Sequence, residues 1–124
     1  ALAHCVARDL RMSRGIATVF RKKFGRTDEL EEQSPRVGDA LYLQHGEQYL
    51  FYLVTKNQSQ QRPTYQSLKD CLLSLRKHLL RLGIRKLAIP RLGCGFDGLD
   101  WKIVRNIVEE IFRDSGVSIA VCIF

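Results

Sequence analysis

Apolar positions along the chain fall into two kinds of segment, short runs of strand length and longer stretches that repeat every three or four residues, and the two alternate. That alternation predicts a layered α/β domain. Leu2 to Val6 reads as a short buried strand. Gly15 to Phe24 sets Ile16, Val19, Phe20 and Phe24 at helical spacing, with Arg21, Lys22 and Lys23 near the C-terminal end, where cations complement the helix dipole. Ala40 to Leu43 and Tyr49 to Thr55 flank His45 and Gly46 and predict a hairpin, its second arm rich in aromatic and β-branched residues. Asn57 to Pro63 is a polar connection. Thr64 then caps a long helix whose Leu68, Cys71, Leu72, Leu75, Leu79 and Leu82 form one apolar face, and Gly83 stops it. Lys86 to Pro90 predicts a strand that runs into a glycine-rich loop, and Asp100 caps a last helix with Ile103, Val104, Ile107, Val108, Ile111 and Phe112 on its inner face. After Gly116, Val117 to Phe124 is apolar but for Ser118 and reads as a central strand.

With 124 residues and 14.3 kDa the chain is a single domain, residues 1–124, with 45% hydrophobic and 27% charged residues, far from the composition of a disordered segment. Lys and Arg number 20 against 13 Asp and Glu, a formal charge of +7 that favours anionic partners. The basic residues are dispersed and run together only at Arg21 to Lys23, so a solvated basic face is expected and nucleic-acid binding is the weakest of the readings. Cys5, Cys71, Cys94 and Cys122 lie far apart with no Cys-x-x-Cys and no Cys-His spacing suited to zinc, so neither a metal site nor a disulfide framework is expected, and a reducing compartment suits them. No apolar stretch approaches the roughly 20 residues that span a bilayer. The first residues, Ala1 to Cys5, lack Met and the basic start of a signal peptide, so the natural chain is expected to begin upstream.

In open α/β sheets ligands bind beyond the carboxyl ends of strands, where loops turn into helices and backbone amides point outward. Two segments have that placement. One is Met12, Ser13, Arg14, Gly15, Ile16, Ala17, after the first strand; the other is Pro90, Arg91, Leu92, Gly93, Cys94, Gly95, Phe96, Asp97, Gly98, before the last helix. Glycine permits positive φ and close approach of the main chain to a phosphate. Taken singly each loop is an ordinary connection, and neither matches a P-loop or a dinucleotide fingerprint.

Taken together their residues resemble a known family. Leu2-Ala3-His4-Cys5, Arg11-Met12, Gly15-Ile16-Ala17, Phe20, Lys22-Lys23-Phe24-Gly25, Tyr52-Leu53, Thr55-Lys56, Pro63-Thr64-Tyr65 and Pro90-Arg91-Leu92-Gly93-Cys94-Gly95-Phe96-Asp97 resemble, in order and over nearly the whole chain, the terminal ADP-ribose protein glycohydrolase branch of the macrodomains. The resemblance implies a three-layer α/β/α macro fold with a mixed central sheet, and a cleft for ADP-ribose between the two loops. It implies ligand contacts at Ala7, Ser13, Arg14, Gly15, Ile16, Arg91, Leu92, Gly93, Cys94, Gly95, Phe96 and Phe124, and no metal or organic cofactor. The catalytic roles fall on Lys56, attacking the anomeric carbon of the distal ribose, and Asp97, moving protons, so that mono-ADP-ribose leaves the glutamate or aspartate side chains of modified proteins. Its partners would be ADP-ribose and those proteins, with no membrane, the chain acting as a monomer in nucleus and cytosol. The alternative it leaves open is a module that binds ADP-ribose without cleaving it.

The chain departs from the family pattern in places. Ser13 and Arg14 stand where small residues are expected, making the first loop bulkier and more basic, and Ala7 replaces a polar contact with a methyl group. The family also carries an N-terminal strand and an adenine-recognising acidic residue upstream of Ala1.

The chemistry sets its own demands. An amine attacks carbon only when neutral, and with an ordinary lysine pKa near 10.4 that form costs roughly 4 to 5 kcal/mol at neutral pH. Burial of Lys56 and a carboxylate within reach would both lower that cost. Outside the family context Lys56 reads as a snorkelling surface lysine and Asp97 as a turn residue. Asp100 has the better claim to the helix cap, which leaves Asp97 free for chemistry. Cys94 between glycines has no histidine placed to activate it, His4 packs beside the first strand, and Trp101 and Phe96 read as packing residues.

Overall fold

The aromatic and β-branched run that the sequence marks most strongly becomes the longest strand, and the sheet is built on it. The computed structural model describes residues 1–11, 25–95 and 97–122. The helix expected over Gly15 to Phe24, the loop residues Ser13, Arg14, Gly15 and Ile16, and both Phe96 and Phe124 lie outside the described residues. The strands are β1 (Leu2–Ala7), β2 (Ala40–His45), β3 (Gln48–Lys56), β4 (Lys86–Ile89) and β5 (Ser118–Val121), and the helices α1 (Thr27–Glu31), α2 (Tyr65–Leu82) and α3 (Trp101–Phe112). Sheet order is β2-β3-β1-β4-β5. The β2–β3 hairpin is antiparallel, pairing Ala40 with Leu53 and His45 with Gln48, and every other pairing is parallel.

Because side chains alternate along a strand, β3 serves two cores. Phe51 and Leu53 face the layer made by α2 and α3, with Leu68, Cys71, Leu72, Leu75 and Leu79 of the first helix and Val104, Val108, Ile111 and Phe112 of the second. Leu50, Tyr52 and Val54 face the other layer, where they meet Val6, Leu10, Leu41, Leu43 and Leu30 of α1. The helix α2 starts on a capping box: the Ser67 amide donates to Thr64 Oγ1 at 3.0 Å and the Thr64 amide to Ser67 Oγ at 3.1 Å. It ends at Gly83 in the left-handed conformation, φ 69°. In the same way α3 starts on Asp100, whose carboxylate accepts from the Lys102 amide at 2.9 Å.

Two elements differ from the sequence expectation. α1 is a five-residue helix with a single buried side chain, Leu30, too little periodicity to register against its polar neighbours. The apolar run after Gly116 was expected as a central strand, and β5 is instead the edge strand: among the described residues it pairs with β4 alone, and Ser118, Ala120 and Val121 are exposed. A run that is apolar but for Ser118 shows that a strand tolerates apolar surroundings on both faces. It does not count the neighbours at its edges.

His4 is fully buried, with its ring 4.9 Å from that of Tyr52 in an edge-on arrangement. Burial pushes its pKa down from 6.5 to about 3, a hydrogen bond to the Cys5 backbone only partly opposing this. Between those values the unfolded chain takes up a proton that the folded chain refuses, so stability falls as pH drops through this window. The expected slope is about 1.4 kcal/mol per pH unit from this group. Urea midpoints between pH 7 and 4 should show it, and a His4→Leu variant should show a flatter profile.

Candidate active site

Lys56 is the last residue of β3 and Asp97 lies in the loop after β4, forty-one positions later. The structure brings them together: Nζ of Lys56 donates to Oδ1 of Asp97 at 2.5 Å, with the side chains only 13% and 17% exposed. In the sheet β1 lies between β3 and β4, so this pair spans the end of β1. Ala7, buried there, pairs with Lys56 across a register shift, and the Arg8 amide donates to the Lys56 carbonyl at 2.8 Å. A small side chain at that position leaves room above it and offers no hydrogen bond of its own.

The backbone on either side of Lys56 is clamped. Ser67 Oγ, at the start of α2, donates to the Thr55 carbonyl at 2.7 Å, which ties the strand end to a helix N-terminus. Beyond Lys56, Asp9 accepts from the Ser59 amide at 2.9 Å and from its hydroxyl at 2.8 Å. Burial alone would raise the Asp9 pKa, but these bonds, with that from the Arg11 amide, outweigh it and hold the carboxyl below its ordinary value.

The loop after β4 is anchored by Leu92, whose side chain is 1% exposed and belongs to the core around α2 and α3. Leu92 therefore enters any ligand site through its backbone alone, because its side chain is committed to packing. Tight turns shape the rest: the Cys94 amide donates to the Arg91 carbonyl at 3.1 Å, that of Gly98 to Gly95 at 3.2 Å, and that of Leu99 to Gly93 at 2.8 Å. The amides of Leu92, Gly93 and Gly95 have no acceptor among the described residues. They remain as donors for an anion. Arg91 is exposed at the start of this loop.

Gly93 has φ +70°, and a Cβ built there would come 2.6 Å from Leu99 Cδ1. Gly93→Ala should therefore lower the urea midpoint by the equivalent of about 1 to 3 kcal/mol. The Cys94 thiol is already engaged, donating to the Leu92 carbonyl at 3.2 Å. Burial, and then the nearby Asp100, push its pKa up, the opposite of what a thiolate nucleophile needs.

Two residues of this region were given no place in the site by the sequence. Tyr65 joins the two helix starts, its phenol oxygen accepting from the Asp100 amide at 3.0 Å. Arg62 stands in the cleft beside Lys56, in a polar connection whose composition says only that it is exposed. The Pro-Thr-Tyr that follows was the available signal, since a proline and a helix cap fix the direction of the residue before them. Among the described residues no group of three or more His, Cys, Asp or Glu could hold a metal ion, and no helix is long and apolar enough to cross a membrane.

A mixed sheet with a lysine–carboxylate pair and, among the described residues, loop amides without acceptors at the carboxyl ends of its parallel strands has the form of the α/β domains that bind ligands on such loops. Comparison with known proteins makes the class specific. The family model of the Macro domain matches residues 3–108, and the chain belongs to that family. It is 40% identical over 121 residues to the ADP-ribose glycohydrolase OARD1 of Homo sapiens, covering 98% of this chain and 80% of the relative, and the Bos taurus protein of the same name matches to the same extent. Among solved structures, the macrodomain of Mycobacterium tuberculosis DarG superposes with a TM-score of 0.89 at 21% identity, over 97% of this chain and 86% of that one. At that identity the likeness speaks for the fold alone. The fold is therefore the α/β macrodomain with a mixed five-stranded sheet that the resemblance implied.

Proposed function

We propose that this chain hydrolyses the bond between ADP-ribose and the glutamate or aspartate side chains of modified proteins, with Lys56 as nucleophile and Asp97 as proton carrier. An ADP-ribose hydrolase is the activity that its similarity to OARD1 supports. The one observation that carries the mechanism is the 2.5 Å contact between Lys56 Nζ and Asp97 Oδ1. A nucleophilic amine must first lose a proton, and here the acceptor is already in contact.

The steps follow from the pair. Asp97 takes a proton from Lys56, and the freed Nζ forms a bond to the anomeric carbon of the distal ribose. The bond from that carbon to the acyl oxygen breaks, and its electron pair leaves with the carboxylate. Asp97 gives the proton it took to solvent and, as a carboxylate again, takes one from a water molecule that attacks the same carbon. The bond from that carbon to Nζ breaks with its electron pair returning to nitrogen, which frees Lys56 as an amine and ADP-ribose as product. The amides of Leu92, Gly93 and Gly95, without acceptors among the described residues, and Arg91 beside them suit the diphosphate. Its hold on the nucleotide aligns the sugar carbon with Lys56. The resemblance alone proposes Ser13, Arg14, Gly15, Ile16, Cys94, Phe96 and Phe124 as further ligand contacts, and Ala7 contributes space.

The test is direct. Incubated with a protein carrying ADP-ribose on glutamate, the chain should release free ADP-ribose, and rapid acid quenching should capture a peptide containing Lys56 with the mass of ADP-ribose less one water added. Tight binding of ADP-ribose with no release over hours would identify a binding module instead. Absence of both binding and release would end both readings.

A further inference from the structure

The cleft that opens on Lys56 contains a second cation that the steps above do not use. This cleft has a volume of about 400 Å³ and is lined by Lys56 and Arg62, with Thr64 and Ser67 of the α2 capping box on its wall. No acidic side chain lines it among the described residues. Arg62 reaches from the connection after β3 to the loop that carries Asp97: its Nη1 lies 3.5 Å, and its Cζ 3.8 Å, from where a Cβ would stand on Gly98. The guanidinium thus lies against that loop. Among the described residues Arg62 makes no ion pair and no hydrogen bond, so its donors are uncommitted. Lys56 has its counter-ion in Asp97, so the arginine without an ion pair, beside the positive end of an 18-residue helix and with no carboxylate on the cleft wall, is the charge that favours an anion there.

We infer that Arg62 receives the carboxylate of the modified glutamate or aspartate as it separates from the sugar carbon, which makes this cleft the acceptor side of the site. The inference rests on the reading that Lys56 attacks an ADP-ribosyl ester. In the ester the acyl group is neutral. Only as the bond from the anomeric carbon to oxygen breaks does the electron pair, and with it a full negative charge, pass to the two carboxylate oxygens. A guanidinium fork matches that planar pair of oxygens in a way that a neutral ester does not. An interaction that grows as the charge develops raises turnover more than it tightens binding. The adenosine diphosphate end of the substrate contributes nothing to it.

Arg62→Ala tests this, with glutamate-linked ADP-ribosylated protein as substrate and free ADP-ribose as the binding probe. The expected result is a fall in kcat of about 10- to 100-fold with the affinity for free ADP-ribose unchanged, the unchanged affinity also reporting an intact fold. Arg62→Lys should recover part of the loss, and methylguanidinium added to Arg62→Ala should restore activity in a saturable way. Full turnover by Arg62→Ala would overturn the inference while leaving Lys56 and Asp97 in their roles. Weakened binding of free ADP-ribose would overturn it by placing Arg62 on the diphosphate. If the unaltered chain releases no ADP-ribose from the ester, the underlying reading fails first and the inference goes with it.

Discussion

Lys56→Arg should stop release of ADP-ribose, by on the order of 10³-fold or more, while the folded chain continues to bind the sugar nucleotide. The arginine keeps a positive charge opposite Asp97, so the carboxylate is not left without a partner. What it loses is the ability to become a neutral nucleophile, because a guanidinium holds its proton under all ordinary conditions. Lys56→Ala is the less clean experiment, since it also leaves Asp97, 17% exposed, without its partner. Release measured on glutamate-linked substrate, beside calorimetric binding of ADP-ribose, separates the two effects. Substantial turnover by Lys56→Arg would remove the covalent step from the mechanism.

Asp97→Asn should cost about 10²- to 10⁴-fold in turnover, the range in which a positioned acid or base contributes. The amide matches the carboxylate in shape and can still accept a hydrogen bond from Nζ, but it cannot take the proton. Both halves of the reaction suffer, the activation of the amine and the later activation of water. Denaturation profiles of the variant should stay close to those of the parent, since the side chain keeps its volume. An activity loss matched by an equal loss of folded protein would argue that the pair holds the loops together and does no chemistry.

Most of the fold was legible because its signals are local. Thr64 and Gly83 bracket α2, Asp100 opens α3, and the aromatic and β-branched run from Tyr49 to Thr55 announces β3. What could not be read was lateral order. The run from Val117 to Phe124 looks the same at an edge as at the centre, and α1 carries one buried leucine, too few for a pattern. The site divides along the same line. Lys56 and Asp97 were recognisable through the family resemblance, but nothing in their spacing places them 2.5 Å apart; that contact follows from β1 lying between their strands. Leu92 was expected as a ligand contact and its side chain proves to be a core anchor, a distinction that requires knowing which way the loop turns. Arg62 was invisible because a polar connection reads as solvent until its neighbour across the sheet is known.

The position of β1 has a further consequence, for the order in which the molecule becomes competent. The β2–β3 hairpin and the two long helices rest on neighbours in sequence and can form early, on the timescale of local structure. The strand that lies between β3 and β4 comes from the start of the chain, and inserting it requires closing loops of some forty residues and more before any parallel pairing repays the entropy. Until that happens Lys56 and Asp97 belong to two halves with no reason to meet. Regain of activity after dilution from urea therefore marks completion of the sheet, and a partly refolded chain rich in helix would be silent in the assay.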